Sequence, residues 1–408
     1  MSRICILGGG FGGLYTALEL SRQPWPEPPQ ITLVDRQERF VFAPLLYELL
    51  TEEMEDWEVA PRFRDLLSSE SVQFVQGSVT AIDPKARRVT LQDGQSLEYD
   101  GLVLALGGET PLNQVPGAAE YAFPFRTLAD AQRLRAHLKR LEERDPAQPI
   151  GLAIVGAGAS GVELACKLAD RLGSRGRIQL IELGADILSG FTESSRKAAQ
   201  QALAERGIPV ELQTKVLCIE ALHQNGIPSF CLQVQRLNNP EITTVTTDPV
   251  DAVLWTVGTQ VAEVISTLDL PKTERGRLQV LPTLQTPTFP EIFALGDVAA
   301  GVDAEGQRIP ATAQAAFQQA SYCAWNLWAF LTQERPLLPF RYFSLGEMLS
   351  LGVDTAVLSA LGGFTLTGPL GYLARRTAYL VRMPTLEHQL KVGWNWISRP
   401  LWKSLLPR

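Results

Sequence analysis

Two hydrophobic periods alternate along this chain, and the places where one gives way to the other mark its elements. Residues 4–7, Ile-Cys-Ile-Leu, are an unbroken apolar run that stops at Gly8, the mark of a strand buried on both faces. Apolar residues then recur at helical spacing from Leu14 to Ser21. After a proline-rich loop comes a second run, Ile31-Thr-Leu-Val34, ending in Asp35. Short alternating runs at 72–75, 78–82, 88–91 and 96–99, separated by Asp83-Pro84 and Asp93-Gly94, predict small antiparallel strands with hairpin turns. The segment 101–108 reads as a buried strand entering a glycine turn at Gly107. Residues 127–145 carry Leu128, Ala131, Leu134, Leu138 and Leu141 among many charges, which predicts a surface helix with His137 as a solvated side chain rather than a ligand.

The opening pattern then returns. An apolar run at 150–155 breaks into Gly156-Ala-Gly158-Ala-Ser-Gly161, a helical stretch follows at 162–172, and a strand at 178–181 ends in Glu182. Alternation at 230–247 reads as an edge hairpin, and the strand at 251–258 stops in a turn at Gly258. A third strand at 292–295 delivers Gly296 and Asp297, expected at the start of a helix. A helix at 311–333 then carries Gln314 and Gln318 one turn apart on one face.

The repeated glycines carry a chemical meaning. Gly8, Gly10 and Gly13, with Gly12 beside them, stand at G-x-G-x-x-G spacing, as do Gly156, Gly158 and Gly161. The first glycine permits the sharp turn, the second lets backbone approach a pyrophosphate, and the third lets helix and strand pack closely. Phosphate then sits at a helix N-terminus. Asp35 lies 22 residues past Gly13, and Glu182 lies 21 past Gly161, where a carboxylate meets ribose hydroxyls. The expected fold is therefore α/β with two Rossmann-like dinucleotide-binding domains, one for FAD at 1–113 with 275–335, one for NAD(P)H at 114–274. The simplest use of two dinucleotides is electron transfer between them. Glu163, in the first turn of the second helix, suits the helix dipole. The patch around Pro44 suits either a loop against a flat ring or a buried turn, and the acidic run Glu52, Glu53, Glu55 and Asp56 reads as a solvated face.

Composition narrows the setting. The 408 residues are 45% hydrophobic, ample for two or three cored domains. A net charge of −7 argues against nucleic acid. Five scattered cysteines without a C-x-x-C fit a reducing compartment and exclude a dithiol reductase; no metal site is expected. Seven Lys or Arg against one Glu fall in residues 365–408, together with three of the eight tryptophans. Leu386, Leu390, Trp394 and Ile397 share one helical face there, with Trp402 and Lys403 beyond. That composition suits a helix lying in a membrane interface, so 336–408 is expected to be an amphipathic membrane-associated region, with a dimer contact as the other use. The uncharged span 355–374 is broken by glycines and Pro369 and is not expected to cross a bilayer. The first glycine turn begins so early that no cleaved signal is expected, which places the chain on a cytoplasmic or stromal-equivalent face of a plasma or thylakoid membrane.

In order, the glycine turn with Asp35, the turn from Gly156 to Glu163, Gly296-Asp297, the run Ala313-Gln-Ala-Ala-Phe-Gln-Gln319 and a basic, aromatic tail resemble the type II NAD(P)H:quinone oxidoreductases. Pro44-Leu-Leu-Tyr-Glu-Leu-Leu and Trp57-Glu-Val-Ala-Pro-Arg-Phe resemble the branch that reduces demethylphylloquinone in photosynthetic membranes. The resemblance implies non-covalent FAD on Gly8, Gly10, Gly13, Asp35 and Asp297, and NADH or NADPH on Gly156, Gly158, Gly161 and Glu182. It also implies Glu163 as the acid near nicotinamide and flavin, and Gln314 and Gln318 at the quinone mouth. Ala43 departs from the threonine found in many members. The implied activity passes a hydride from NAD(P)H to FAD and two electrons to a membrane naphthoquinone. The alternatives are a respiratory dehydrogenase using plastoquinone, ubiquinone or menaquinone, a sulfide:quinone reductase built on Cys166 and Cys323, and a redox-sensing flavoprotein.

Overall fold

The computed structural model describes residues 1–68, 70–224, 227–238, 244–360 and 364–405, with side chains at 223, 224, 227, 228 and 400–405 left undescribed. The chain forms two compact units, each assembled from separated stretches of sequence.

The first unit comprises Met1–Val41, Ala60–Glu109 and Thr259–Phe343. Its five-stranded sheet runs Ile292–Ala294, Gly101–Leu104, Arg3–Leu7, Gln30–Asp35, Val72–Gln76, with every pair parallel. Ile4, Ile6, Leu7, Leu33, Val34 and Leu104 are almost wholly buried, which is why these strands read as continuous apolar runs. The helices Phe11–Ser21 and Ala313–Thr332 pack together; the Thr16 hydroxyl donates to Gly12 O at 2.7 Å and reaches Ala320 O at 3.4 Å.

Two expectations change in this unit. The run at 72–75 is not part of the small antiparallel sheet; it completes the main parallel sheet beside Gln30–Asp35. Only Val79–Asp83, Arg88–Leu91 and Ser96–Glu98 form the antiparallel meander. The turn after Ile292–Ala294 does not open a helix either. Gly296–Val298 is a single 3₁₀ turn, because Ala299–Ala300 leaves it extended to pair with Leu278–Gln279, and helix resumes only at Ala313.

The second unit comprises Phe42–Val59, Thr110–Gly258 and Ser344–Arg408. Its parallel sheet runs Val210–Glu211, Gly176–Ile181, Ile150–Val155, Ala252–Trp255, Ala122–Pro124. The helix Leu128–Glu142 is fixed by a capping box in which Thr127 and Asp130 satisfy each other's backbone N–H. His137 is half-buried rather than freely solvated: its Nε2 lies 3.1 Å from Asp251 O, and burial depresses its basicity. The hairpin expected within 230–247 differs: Ile227–Arg236 pairs mainly with the preceding strand Thr214–Gln224, and Val245–Thr246 adds only a short third strand at its edge.

The C-terminal stretch contributes the antiparallel strands Glu347–Ser350, Ala356–Ser359 and Thr365–Thr367, then the helices Gly368–Leu380 and Leu386–Leu405. The uncharged span 355–374 is thus shared between strands and a helix start; its residues 361–363 lie outside the described ones. No helix among the described residues is long and apolar enough to cross a membrane.

Candidate functional site

Each glycine turn is built from the backbone alone. Gly8 sits at φ +97° and Gly156 at φ +101°, a region closed to residues bearing a Cβ. A Cβ on Gly13 would lie 1.7 Å from Gly8 O, and one on Gly161 would lie 1.8 Å from Gly156 O. The third glycine of each motif is therefore demanded by contact between helix and turn. Gly10 and Gly158 differ: a Cβ there would meet nothing within 4 Å. They are the N-caps of Phe11–Ser21 and Ala159–Leu172, neither capped by a side chain. That leaves an open concavity at each N-terminus, where helix N–H groups favour an anion. Gly12 packs under Leu295, 3.1 Å from where its Cβ would be.

Both acids reach back to their own turn. Asp35 Oδ2 accepts the Gly9 N–H at 2.6 Å and Oδ1 accepts the Gln37 N–H at 2.8 Å. Glu182 Oε2 accepts the Ala157 N–H at 2.6 Å and Oε1 accepts the Gly184 N–H at 2.6 Å. Burial pushes the Asp35 carboxyl upward against these bonds. In the first unit a cavity of about 280 Å³ opens beside this acid, lined by Gly8, Asp35, Arg36, Gly77, Leu106 and Glu109 among others.

The turns at Gly107, Gly258 and Gly296 all take left-handed φ, +68°, +76° and +71°. The Gly296 N–H donates to Gln319 Oε1 at 2.9 Å, and Arg277 Nε donates to Asp297 O at 3.0 Å. Two side chains therefore clamp the backbone that presents Asp297. Gln319 was visible in sequence only as one glutamine among three.

Gln314 and Gln318 share a helix face, as their spacing predicted, and each is engaged. Gln314 Oε1 accepts from the Tyr342 hydroxyl at 2.8 Å; Gln318 gives to Phe343 O at 2.8 Å and takes its N–H at 3.0 Å. Both amides thus hold the segment 342–343 against the helix.

The second unit contains a group of charges that the sequence reading missed. Lys167, Arg375 and Glu48 are 0%, 1% and 2% exposed, and Glu163 is 6% exposed. Lys167 Nζ contacts Glu48 Oε2 at 2.7 Å and pairs with Glu53; Arg375 Nη1 reaches Glu48 Oε1 at 2.8 Å, and Nη2 lies 3.8 Å from Glu163 Oε1. Arg375 also donates to Pro44 O at 2.6 Å, so the 3₁₀ turn Ala43–Leu49, with Pro44 near its start, is pinned from the helix Gly368–Leu380. Burial pushes Glu163 up to about 7, against the Arg375 charge and a bond from the Ser350 N–H at 2.8 Å. Burial acts the same way on Glu48, but Lys167 and Arg375 overcome it and hold that carboxyl down at about 2. Glu53 was expected on a solvated face; it turns inward because Lys167 offers it a buried cation. Glu58, just after the acidic run, is 1% exposed. A helical pattern with Lys167 at an apolar position was the one available signal of this cluster.

Cys166 and Cys323 are fully buried, and burial pushes both thiols up to about 12. Burial therefore disfavours a thiolate at either position.

Comparison with known proteins decides the family. The model of the pyridine nucleotide-disulphide oxidoreductases matches residues 2–320. The chain is 53% identical to the demethylphylloquinone reductase of Synechocystis sp. over 405 residues, covering 98% of this chain and 96% of that one. The chain belongs to the type II NAD(P)H:quinone oxidoreductases of that family. It is 42% identical to the alternative NAD(P)H-ubiquinone oxidoreductase C1, chloroplastic/mitochondrial, of Arabidopsis thaliana, covering 97% of this chain and 80% of the relative. Its fold matches the NDH2 of Plasmodium falciparum solved with NADH at TM-score 0.82 and 17% identity, covering 97% of each chain. As a member of this family it is an FAD-dependent NAD(P)H:quinone oxidoreductase, and this reading stands over a sulfide:quinone reductase or a sensor. The two open turns, each free of a Cβ where a pyrophosphate must approach, fit these nucleotides.

Proposed function

We propose that this protein oxidises NADH and reduces a membrane naphthoquinone of the demethylphylloquinone type. The carrying observation is the pair of uncapped glycine turns, joined to the 53% identity with a demethylphylloquinone reductase. FAD, when bound, supplies the chemistry of accepting two electrons from a nicotinamide and passing them to a quinone. The protein's own part is to hold, orient and protonate.

In this reading Gly8, Gly10, Gly12 and Gly13 leave room for the FAD pyrophosphate, Asp35 holds its ribose, and Gly107, Gly296 and Asp297 border the rest of the cofactor. Gly156, Gly158, Gly161 and Gly258 shape the nicotinamide nucleotide's cradle. Glu182 repels a ribose 2′-phosphate, favouring NADH. Pro44 fixes the backbone of the turn that Arg375 grips. Glu163, protonated near neutrality, is the acid at the reacting end, and Gln314 and Gln318 position the quinone. On this assignment the segment 1–113 with 275–335 serves FAD, 114–274 serves NAD(P)H, and 336–408 serves the membrane side.

The tail supports a lipid-soluble acceptor. Leu370, Leu386, Leu390, Trp394 and Ile397 are each at least 65% exposed, an apolar surface flanked by the positive charge of 365–408. Such a face lies in a lipid interface at a cost of little ordering. Peripheral docking on an anionic leaflet follows, on the cytoplasmic or stromal-equivalent face of a thylakoid or plasma membrane; a homodimer through the same face is the alternative.

Anaerobic reduction by NADH, followed by mixing with benzoquinones and naphthoquinones, tests the acceptor. Naphthoquinones are expected to reoxidise the flavin fastest; a benzoquinone preference would move the assignment to the respiratory branch. Gln318→Leu is expected to slow reoxidation by quinone more than reduction by NADH, and equal loss of both would remove the glutamine from the quinone site. Trp394→Glu with Ile397→Glu is expected to abolish flotation with anionic vesicles, and loss of a dimer in its place would favour the other occupant.

A further inference from the structure

Glu163 is the member of the buried charge group given a proton to donate in the reading above, and the charges around it raise a question of balance. Two cations, Lys167 and Arg375, face three carboxylates, Glu48, Glu53 and Glu163. In a dry interior, charge is tolerated only when compensated. Neutrality is reached with two carboxylates ionised and one protonated.

Geometry says where that proton can reside. Glu48 bridges both cations, one on each oxygen, at 2.7 Å and 2.8 Å, so it is the carboxylate most strongly held ionised. Glu53 touches Lys167, the Glu48 carboxyl and the hydroxyls of Thr51 and Tyr372, the latter at 3.4 Å. Glu163 touches the Ser350 N–H and the more distant edge of Arg375. The other ionisable groups against these two acids do not compete: burial raises the hydroxyls of Tyr47, Tyr372 and Tyr379, so they stay neutral. Arg399 approaches only the Glu53 carbonyl, and Arg376 stands behind the Tyr372 hydroxyl with Glu58 as a carboxylate facing it.

We infer that Glu53 is a positioning residue for proton transfer: through the Lys167–Glu48–Arg375 bridge its carboxylate keeps one exchangeable proton on Glu163, and by taking a proton itself it neutralises the charge left when Glu163 gives that proton up. The inference rests on Glu163 acting as the acid toward quinone. Both acids are pushed to about 7, by burial first and then, for Glu53, by Glu48.

The step balances. NADH becoming NAD⁺ releases two electrons and one proton, while a quinone becoming a quinol takes two electrons and two protons. One further proton must come from solution per turnover. Glu163 breaks its O–H bond and gives that proton to a quinone oxygen; Glu53, 10% exposed at its side chain, takes one from solvent, so no unpaired charge is left buried. The cluster resets when Glu53 returns its proton to solvent and Glu163 takes one from water admitted as quinol leaves.

Glu53→Gln tests this with a sign. Removing that anion leaves two cations facing Glu48 and Glu163, so Glu163 should ionise at lower pH. Infrared titration of the holoenzyme between about pH 5 and 9 is expected to show the protonated-carboxyl band lost at least one pH unit earlier, roughly a tenfold change in proton affinity. The rate of flavin reoxidation by a naphthoquinone should fall by up to roughly tenfold at neutral pH, in step with the loss of protonated Glu163, with its inflection moved to acid. Glu53→Asp should restore both. An unmoved infrared band, or a reoxidation profile with the parent inflection, would overturn the inference. Failure of the parent protein to reduce quinones would instead defeat the functional reading, and the infrared measurement, which needs no quinone, separates the two.

Discussion

The helices Phe11–Ser21 and Ala159–Leu172 follow the same glycine turn, yet they bring opposite chemistry to it. Two residues past the third glycine, one has Tyr15 and the other Glu163; six past it, one has Glu19 and the other Lys167. Tyr15 packs edge-on against Phe317 at 4.7 Å and beside Phe11 and Phe40, while Glu19 stays at the partly exposed edge. Glu163 and Lys167, at the matching positions, are buried among charges. A shared backbone frame therefore leaves open whether the helix face is an aromatic wall or an electrostatic store. The choice is made by distant segments, 40 and 317 for one helix, 48, 53 and 375 for the other.

The largest test separates the two frames. Gly13→Ala and Gly161→Ala each force a Cβ onto a carbonyl oxygen, 1.7 Å and 1.8 Å away, a local cost on the order of 3–5 kcal/mol. Gly13→Ala is expected to yield colourless protein that does not take up FAD. Gly161→Ala should remain yellow but resist bleaching by NADH. A Gly161→Ala protein without flavin would mean that the two turns do not serve separate nucleotides.

Next comes the contrast at the sixth position. Lys167→Met strands Glu53 and leaves Glu48 with Arg375 alone, and breaking a buried pair from one side costs about 3–5 kcal/mol. Glu19→Met, its counterpart, should change stability by less than about 0.5 kcal/mol. Hydrogen exchange in peptides from Ile150–Val155 and Arg3–Leu7 reads the two units separately, which a single melting curve of a two-unit chain does not. Equal protection in both variants would show that the buried ammonium carries no structural weight.

These contrasts also explain what the sequence revealed. Continuous apolar runs and glycine spacing are local signals, and they located both parallel sheets, both turns and both acids. Strand partners are not local, so Val72–Gln76, only five residues long and alternating, gave no sign that it would join the main sheet. The turn at Gly296–Val298 looked like a helix start because an acid after a glycine is a fair N-cap; pairing of Ala299–Ala300 with a strand 21 residues upstream overrode it. The charge cluster was the hardest to read. Glu48 and Glu53, Lys167, and Arg375 come from three stretches of the chain, and each alone looks like a surface residue.

A smaller effect follows from the proton on Glu163. Its carboxyl is raised from 4.5 to about 7 in the folded protein, so between those values the folded state holds a proton that the unfolded chain has lost. Stability contributed by this group is thus complete below about pH 4.5 and is lost as pH rises toward 7, by roughly 3 kcal/mol. Glu163→Gln removes this group's share of the slope while Glu53, also raised to about 7, keeps its own, and urea midpoints at pH 5 and pH 8 should lie closer together in the variant than in the parent. Tyr15→Phe, the matching change in the first unit, should leave the slope as it was. An unchanged slope in Glu163→Gln would place the proton elsewhere.

The smallest effect concerns the two acids, which look alike and should not behave alike. Asp35 and Glu182 both spend an oxygen on the second residue of their turn, at 2.6 Å each, so each helps hold its loop. On the proposed assignment FAD stays bound through turnover, whereas the nicotinamide nucleotide exchanges in every cycle, so only Glu182 would have a choice of donor to make. Leu183 beside it is 53% exposed and builds no wall, which leaves negative charge as the main bar to a 2′-phosphate. Glu182→Gln keeps the shape and removes the charge, and should shift the NADPH to NADH ratio of kcat/KM by about tenfold, near 1.4 kcal/mol. Asp35→Asn should loosen flavin without moving that ratio. If the ratio fails to move in Glu182→Gln, selection lies in the shape of the loop from Leu183 to Asp186 rather than in its charge.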